Sequence, residues 1–366
     1  MVEVSVVIPT RNEADTIGIC ISKVREVFKQ HGIDGEIIVA DNSDDETPRI
    51  ARLLGARVVT PDRMGYGYAY LYGFRHARGK YIVLGDGDDT YDFLEMPRLL
   101  EPLMKGEADL VIGSRFKGRI EKGAMPWLHR WVGNPVLTWL LNLFFNAGVS
   151  DAHCGFRAIK REALEKMRLN AHGMEFASEM IIEAVRLGLR IVEVPVSYRA
   201  RRGGRSKLSS FSDGWRHLKF MLLHTPTWLF IYPGSLLLVA GVILIASAFL
   251  NIYIGYMPGV HSMIAGSLLA LMGYQALLFG LFARILEGKS LPRFLTLERG
   301  VTIGALTFIA GLAWMVRLAL KWAGGGGLPP VGYSIVGLIL IVLGLQTFFS
   351  SFMLSMIAER RQSVQG

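Results

Sequence analysis

Between Gly85 and Met96 the chain reads GDGDDTYDFLEM, setting Asp86, Asp88, Asp89, Asp92 and Glu95 behind the apolar run YIVL of residues 81–84. Carboxylates this close repel one another and raise each other's pKa, so they call for a positive partner. Asp86 and Asp88 alternate on an extended backbone, and Gly87 between them allows close approach. Such a pair suits a hard divalent ion, Mg²⁺ or Mn²⁺, that keeps room for substrate phosphates. The competing reading is a solvated acidic turn capping a helix that starts near Tyr91, where acids are favoured anyway. Asp89, Asp92 and Glu95 fit that second role better.

A second charged stretch, RARRGGRSK (199–207), packs five cations into nine residues around two glycines. It suits either a loop that closes on phosphates or a juxtamembrane patch drawn to anionic lipid. The two roles are compatible. The histidines offer less: His153, His129 and His217 read as structural, and no His-Cys cluster has zinc spacing. Cys20 and Cys154 form no disulfide framework and are compatible with a reducing cytosol.

The elements that must hold these residues follow from hydrophobic pattern. EVSVVIPT (3–10), GEIIVADN (35–42), ARVVT (56–60), KYIVLGD (80–86) and ADLVIGSR (108–115) read as short buried strands. DTIGICISKVREVFKQHG (15–32), TPRIARLLGA (47–56) and YAYLYGFRHARG (68–79) read as helices between them. This alternation predicts an α/β domain with a parallel sheet covered on both faces. Polar residues gather at three strand ends, at 10–13, 41–42 and 86–88. Ligands bind outside such ends in open α/β sheets, so the three clusters form one candidate site.

Beyond about residue 220 the composition changes. No Asp, Glu, Lys or Arg occurs between Lys219 and Arg284. Apolar runs at 228–250, 262–283, 301–320 and 333–354 each reach the roughly 20 residues a bilayer crossing needs. Arg284, Lys289, Arg293 and Arg299 in the 284–300 connection, with Arg360 and Arg361 in the tail, predict that both termini and the α/β domain are cytoplasmic. MVEVSVVIPT has neither a basic n-region nor a long apolar h-region, so no cleaved signal peptide is expected there. MPWLHRWVGNPVLTWLLNLFFNAG (125–148) and FSDGWRHLKFML (211–222) combine tryptophans, cations and an apolar face, and read as helices lying in the membrane interface. The expected layout is a catalytic domain over 1–210, an interfacial helix over 211–226, a transmembrane domain over 227–356 and a tail over 357–366. The net charge of +9 and pI near 9.6 admit a nucleic-acid binder. The cations, however, cluster near the membrane rather than with exposed aromatics on a sheet, which argues against it.

Six segments in order, VVIPTRNEADTI (6–17), IIVADNSDDET (37–47), GDGD (85–88), VIGSRF (111–116), DAHCGFRAIKREAL (151–164) and EVPVSYRARRGGRSKL (193–208), resemble the catalytic domain of family 2 glycosyltransferases. The resemblance is to the dolichyl-phosphate mannose and glucose synthases. It implies a GT-A, Rossmann-like fold followed by transmembrane helices. It implies that Pro9, Thr10, Asn12, Glu13 and Asp41 hold base and ribose, although Asn42 stands where such enzymes usually have a second acid. Asp86 and Asp88 would bind metal and diphosphate, with Thr90 at the family's third metal position, often glutamine. Arg115 would order the donor side. Asp151 and the CGFR turn (154–157) would flank sugar and acceptor, and Glu179 would be an acid facing the same cleft. Arg202, Ser206 and Lys207 fall in what resembles a mobile phosphate-binding loop, and Arg130 is the candidate for the acceptor phosphate, with a snorkelling arginine as the alternative.

The implied reaction is metal-dependent, inverting transfer of a hexose to dolichyl or polyprenyl phosphate at the cytoplasmic face, supplying lipid-linked sugar for protein glycosylation or envelope glycans. Mannose from GDP-mannose is the first expectation, glucose from UDP-glucose the second, and a lipid-linked oligosaccharide acceptor the third. A processive polysaccharide synthase is disfavoured because no glutamine precedes Arg-Trp in a Q-x-x-R-W pattern.

Overall fold

The computed structural model describes residues 2–202, 210–288 and 295–365. It divides into two compact units, Met1–Met221 and Leu222–Gly366.

In the first unit the apolar runs form β1 (Val4–Thr10), β2 (Gly35–Asp41), β3 (Arg57–Val59), β4 (Tyr81–Leu84), β5 (Leu110–Ser114), β6 (Arg157–Lys160) and β7 (Ile191–Pro195). The helices are α1 (Ala14–His31), α2 (Thr47–Leu53), α3 (Tyr66–His76), α4 (Met96–Met104), α5 (Asn134–Phe145), the single turn α6 (Arg161–Leu164), α7 (Phe176–Arg186) and α8 (Ser210–Leu223). The strands lie in the order β3-β2-β1-β4-β6-β5-β7.

β1 is parallel to β2 on one side and to β4 on the other, so the winding reverses at β1. Such a reversal opens a crevice at the carboxyl ends of the strands. Thr10, Asp41 and the residues after Leu84 therefore line one rim. Val4, Val6, Val7 and Ile8 are fully buried, as expected of a strand covered on both faces. α1 contributes Ile17, Cys20, Ile21, Val24 and Val27 to the same core. α3 approaches β1 closely at Gly73, where an added Cβ would lie 2.5 Å from Val7 Cγ1.

The sheet is mixed rather than wholly parallel as the pattern predicts. β6 runs antiparallel to both β4 and β5. The physical reason is its entry point: Arg157 pairs with Leu84, so the 151–156 turn leading into β6 sits at the carboxyl end of β4, beside Asp86.

The expected interfacial segment is helical from the turn His129–Gly133 through Phe145. Leu141 and Thr138 face inward, while Trp127, Trp131 and Trp139 are each at least 60% exposed. α8 belongs to the first unit as far as Met221, beyond the expected limit at 210, because His217 and Met221 are buried there.

The second unit holds α9 (Tyr232–Phe249), α10 (Val260–Leu286), α11 (Leu297–Ala323) and α12 (Val331–Gln365). These supply the four expected spans, each long and apolar enough to cross a membrane. α9 packs on α10, α10 on α12 and α11 on α12. Without a hydrophobic drive between helices in lipid, small residues and interhelical hydrogen bonds carry the packing. An added Cβ at Gly241 would lie 2.4 Å from the Ala270 nitrogen, so α9 and α10 meet at backbone distance. Gln346 donates to Gln275 at 2.9 Å, and Tyr274 and Thr347 share a hydrogen bond of 2.6 Å.

Candidate active site

The acids after β4 have unequal surroundings. Asp86 Oδ1 accepts from the Tyr66 hydroxyl at 2.9 Å and the Tyr70 hydroxyl at 3.3 Å, both from α3. Burial, and then the Asp88 carboxylate, push the Asp86 carboxyl up to about 7. Asp88 Oδ1 accepts from the Thr90 amide at 3.1 Å and the Thr90 hydroxyl at 2.6 Å. Thr90, expected as a third metal contact, thus orients Asp88. The outer oxygen of Asp88 takes the Arg201 guanidinium at 2.5 Å.

The remaining acids are structural. Asp89, at φ 58° and fully buried, pairs with Lys23 at 2.6 Å and with Arg202 at 3.3 Å. Asp92 caps the short helical turn Phe93–Glu95 and pairs with Lys23 and Arg199. Glu95 accepts from the Ser197 amide and hydroxyl. Lys23, Arg98, Arg199, Arg201 and Arg202 therefore partner this cluster, whereas the sequence alone pointed first to a metal ion. Lys23, Arg199 and Arg201 were missed individually; the only signal for the two arginines was the density of the 199–207 run.

A divalent ion still fits at Asp86 and Asp88. Two carboxylates whose like charges crowd each other are a donor set for a hard cation. Gly155 keeps this place open, since an added Cβ would lie 2.9 Å from Asp86 Oδ2 and from the Tyr66 hydroxyl. Among the described residues no group of three or more His, Cys, Asp and Glu is set to hold a metal. The two aspartates would therefore leave the other positions to water and substrate phosphates.

Along the β1–β2 rim, Thr10 donates to Asp41 at 2.7 Å, and Ser43 donates to the same Asp41 oxygen. Asn12, at φ 54°, accepts from the Asp44 amide, while its own amide donates to Ser43. The Glu13 amide donates to Thr47, and its carboxylate lies 3.5 Å from Arg201. Pro9 sits within β1, paired with Ala40. These five expected base and ribose contacts thus form one hydrogen-bonded ledge, with Ser43 and Thr47 as unforeseen supports.

Asp151 and Arg115 form a buried two-pronged ion pair, both contacts at 2.7 Å. Asp151, expected to flank sugar and acceptor as a catalytic residue, has both oxygens engaged in fixing Arg115. Arg115 also lies 5.2 Å from the centre of the Tyr198 ring. An open pocket of about 290 Å³ is lined by Arg115, Phe116, Gly118, Ile120, Arg130, Trp131 and Pro135. The Arg130 guanidinium lies over the Trp131 ring at 5.3 Å. Arg115, expected on the donor side, and Arg130, the candidate for the acceptor phosphate, therefore share a pocket.

Arg157 of the CGFR turn is fully buried and donates to the carbonyls of Cys154, Ala152 and Ala177. It is a scaffold for the turn. Burial pushes the Cys154 thiol up to about 12, so it is no nucleophile near neutral pH. Glu179 was expected as a catalytic acid facing the same cleft. It is buried on α7, and its two oxygens accept from the Asn170 and Ala171 amides, tying down the preceding loop. Ser206 and Lys207 lie outside the described residues.

Residues 5–168 match the family described as glycosyl transferase family 2, and residues 288–358 match its C-terminal transmembrane region. A low-salt glycan biosynthesis hexosyltransferase, Agl6, from Haloferax volcanii is 46% identical over 97% of this chain and 89% of its own length. A dolichyl-phosphate hexose transferase from the same organism is 35% identical over 58% of this chain and 89% of its own. Among solved structures, glucosyl-3-phosphoglycerate synthase from Mycobacterium tuberculosis, with Mn²⁺, UDP and glucosyl-3-phosphoglycerate bound, is 29% identical. Its TM-score is 0.50, over 61% of this chain and 79% of its own. A mixed sheet with paired aspartates at its switch point, joined to four apolar helices, agrees with these matches. The chain belongs to glycosyltransferase family 2, as a hexosyltransferase carrying that family's C-terminal transmembrane region.

Proposed function

We propose that the protein transfers a hexose from a sugar nucleotide to the phosphate of a polyprenyl lipid, with inversion, at the cytoplasmic face of a membrane. The observation that carries this reading is the arrangement of the paired aspartates Asp86 and Asp88 in the same catalytic unit as a pocket holding Arg115 and Arg130. That pocket borders a helix whose tryptophans are exposed. The acceptor phosphate oxygen would attack the sugar's anomeric carbon as the bond to the nucleotide's phosphate breaks, releasing the nucleoside diphosphate.

A phosphate monoester has a second pKa of about 6, so it is already a nucleophile near neutral pH and needs little general-base help. That accords with a site where Asp151 and Glu179 are spent on structure. The task left to the protein is to position two anions against their repulsion. Asp86 and Asp88 would hold Mg²⁺ or Mn²⁺, which would neutralise charge on the departing nucleotide. Arg115 and Arg130 would hold the acceptor phosphate, and Pro9, Thr10, Asn12, Glu13 and Asp41 would seat the nucleoside.

GDP-mannose and UDP-glucose remain the two donors. The resemblance favours the first; the solved neighbours with UDP and UDP-glucose favour the second. The test is transfer of radiolabelled sugar from each donor to dolichyl phosphate in detergent, beside Asp88→Ala and an EDTA control. Lipid-phase label with one donor, lost with EDTA and with the substitution, is the expected result. No lipid product from either donor, with nucleotide binding intact, points instead to a lipid-linked glycan acceptor.

A further inference from the structure

The Arg201 guanidinium occupies the oxygen that a metal ion would need. Asp88 Oδ1 is held by Thr90, and Asp88 Oδ2 is held by Arg201 at 2.5 Å. A cation shared between Asp86 and Asp88 must take that second oxygen, and two positive groups cannot share it without strong repulsion. The neighbours of Arg201 are pinned separately. The Arg199 amide donates to the Thr90 carbonyl at 2.8 Å, the Arg199 side chain pairs with Asp92, and Arg202 pairs with Asp89. These anchors hold the backbone beside the acids, so Arg201 can give way by a side-chain swing. A guanidinium so released is suited to meet a diphosphate.

We propose that Arg201 is a placeholder for the divalent cation: it holds Asp88 in the nucleotide-free protein and yields when cation and nucleoside diphosphate arrive, so that the two ligands load together. This rests on the reading that Asp86 and Asp88 bind the metal. It makes cation and nucleotide binding reciprocally coupled, since each removes an obstacle to the other. It also means that the paired aspartates are never left as uncompensated charge between turnovers.

The test is Mn²⁺ titration of the full-length protein in detergent, followed by electron paramagnetic resonance of the free ion, with and without UDP or GDP. Arg201→Gln is expected to tighten Mn²⁺ binding in the absence of nucleotide by at least about tenfold and to shrink the gain that nucleotide brings. Arg199→Gln removes the same charge one pair away, at Asp92, and is expected to change Mn²⁺ affinity less than about threefold. Adding Asp88→Asn to Arg201→Gln should abolish the tight binding. Equal shifts from Arg199→Gln and Arg201→Gln, or no shift from Arg201→Gln while Asp88→Asn still removes Mn²⁺, overturn the placeholder and leave the metal site standing. Mn²⁺ binding that survives Asp88→Asn, or is absent from every variant, overturns the metal site and the placeholder together.

Discussion

Two tyrosines from α3 direct their hydroxyls at one oxygen of Asp86, and that sets how the carboxylate can bind. Tied through Oδ1, Asp86 turns Oδ2 towards the space kept open by Gly155. Tyr66→Phe removes the shorter of the two hydrogen bonds while preserving the ring, which packs edge-on against Tyr70 at 5.1 Å. A hydrogen bond to a charged group contributes about 1.5–3 kcal/mol. Mn²⁺ affinity measured with nucleoside diphosphate present should therefore fall about tenfold or more, and Tyr70→Phe, which loses the longer contact, should cost less. Equal affinities for Tyr66→Phe and the unaltered protein would remove the tyrosine from this role. At this scale the sequence was legible only in part. Asp86 and Asp88 stood out by spacing, but Arg201 and Arg202 are adjacent members of one basic run, and nothing in it says which reaches Asp88. The commitment of Asp151 to Arg115 was not legible, because it depends on two segments 36 residues apart meeting.

Elements meet most informatively where α8 closes on the catalytic unit. Ser178 of α7 bonds His217 of α8 at 2.9 Å and lies 3.5 Å from His153, and the two imidazoles stand edge to face at 4.4 Å. Burial lowers both: His217 to about 4, and His153 well below its ordinary value, with the facing His217, Arg115 and Arg157 adding to the effect. Glu175 and Asp213 pull His217 the other way without reversing it. In the unfolded chain a histidine protonates near pH 6.5, well above the value of about 4 to which the fold lowers His217. Below that pH the unfolded state binds more protons, so stability is full above about pH 6.5 and falls as pH drops towards 4. The slope approaches about 1.4 kcal/mol per pH unit for each histidine. Thermal unfolding of the catalytic unit, followed by tryptophan fluorescence between pH 7.5 and 5, should show this loss, and His217→Gln should flatten it. An unchanged slope in that variant would assign the acid sensitivity elsewhere. Strands β1 to β5 and the four spans were legible because their apolar runs are bounded by turns, whereas β6 and β7 were not among the expected strands. The reversed direction of β6 was not legible, because the four residues RAIK carry no direction of their own. It comes from a turn whose course Arg157 fixes by gripping three carbonyls.

Over the whole molecule, the proposed reaction would require the catalytic unit to work on the side of the membrane where sugar nucleotides are made. The four spans return the chain to its starting side, so one assignment decides both termini. Cations favour the connection between α10 and α11, with Arg284, Lys289, Arg293 and Arg299, over the 251–259 connection, which has none. Cationic loops stay in the cytoplasm. Both native cysteines are buried and unpaired, so the unaltered protein gives little background with a membrane-impermeant maleimide. Tyr253→Cys and Leu328→Cys place a thiol at exposed positions in the α9–α10 and α11–α12 connections, and Glu298→Cys does so at the start of α11. In right-side-out vesicles the reagent should label the first two variants and spare Glu298→Cys until the membrane is permeabilised. Lys105→Cys, on the surface of the catalytic unit, should behave as Glu298→Cys does. The opposite pattern would put the catalytic unit outside, away from cytosolic donors, and the proposed reaction would lose its substrate. Labelling of Lys105→Cys and Glu298→Cys on opposite sides would instead break the four-span count on which the assignment depends.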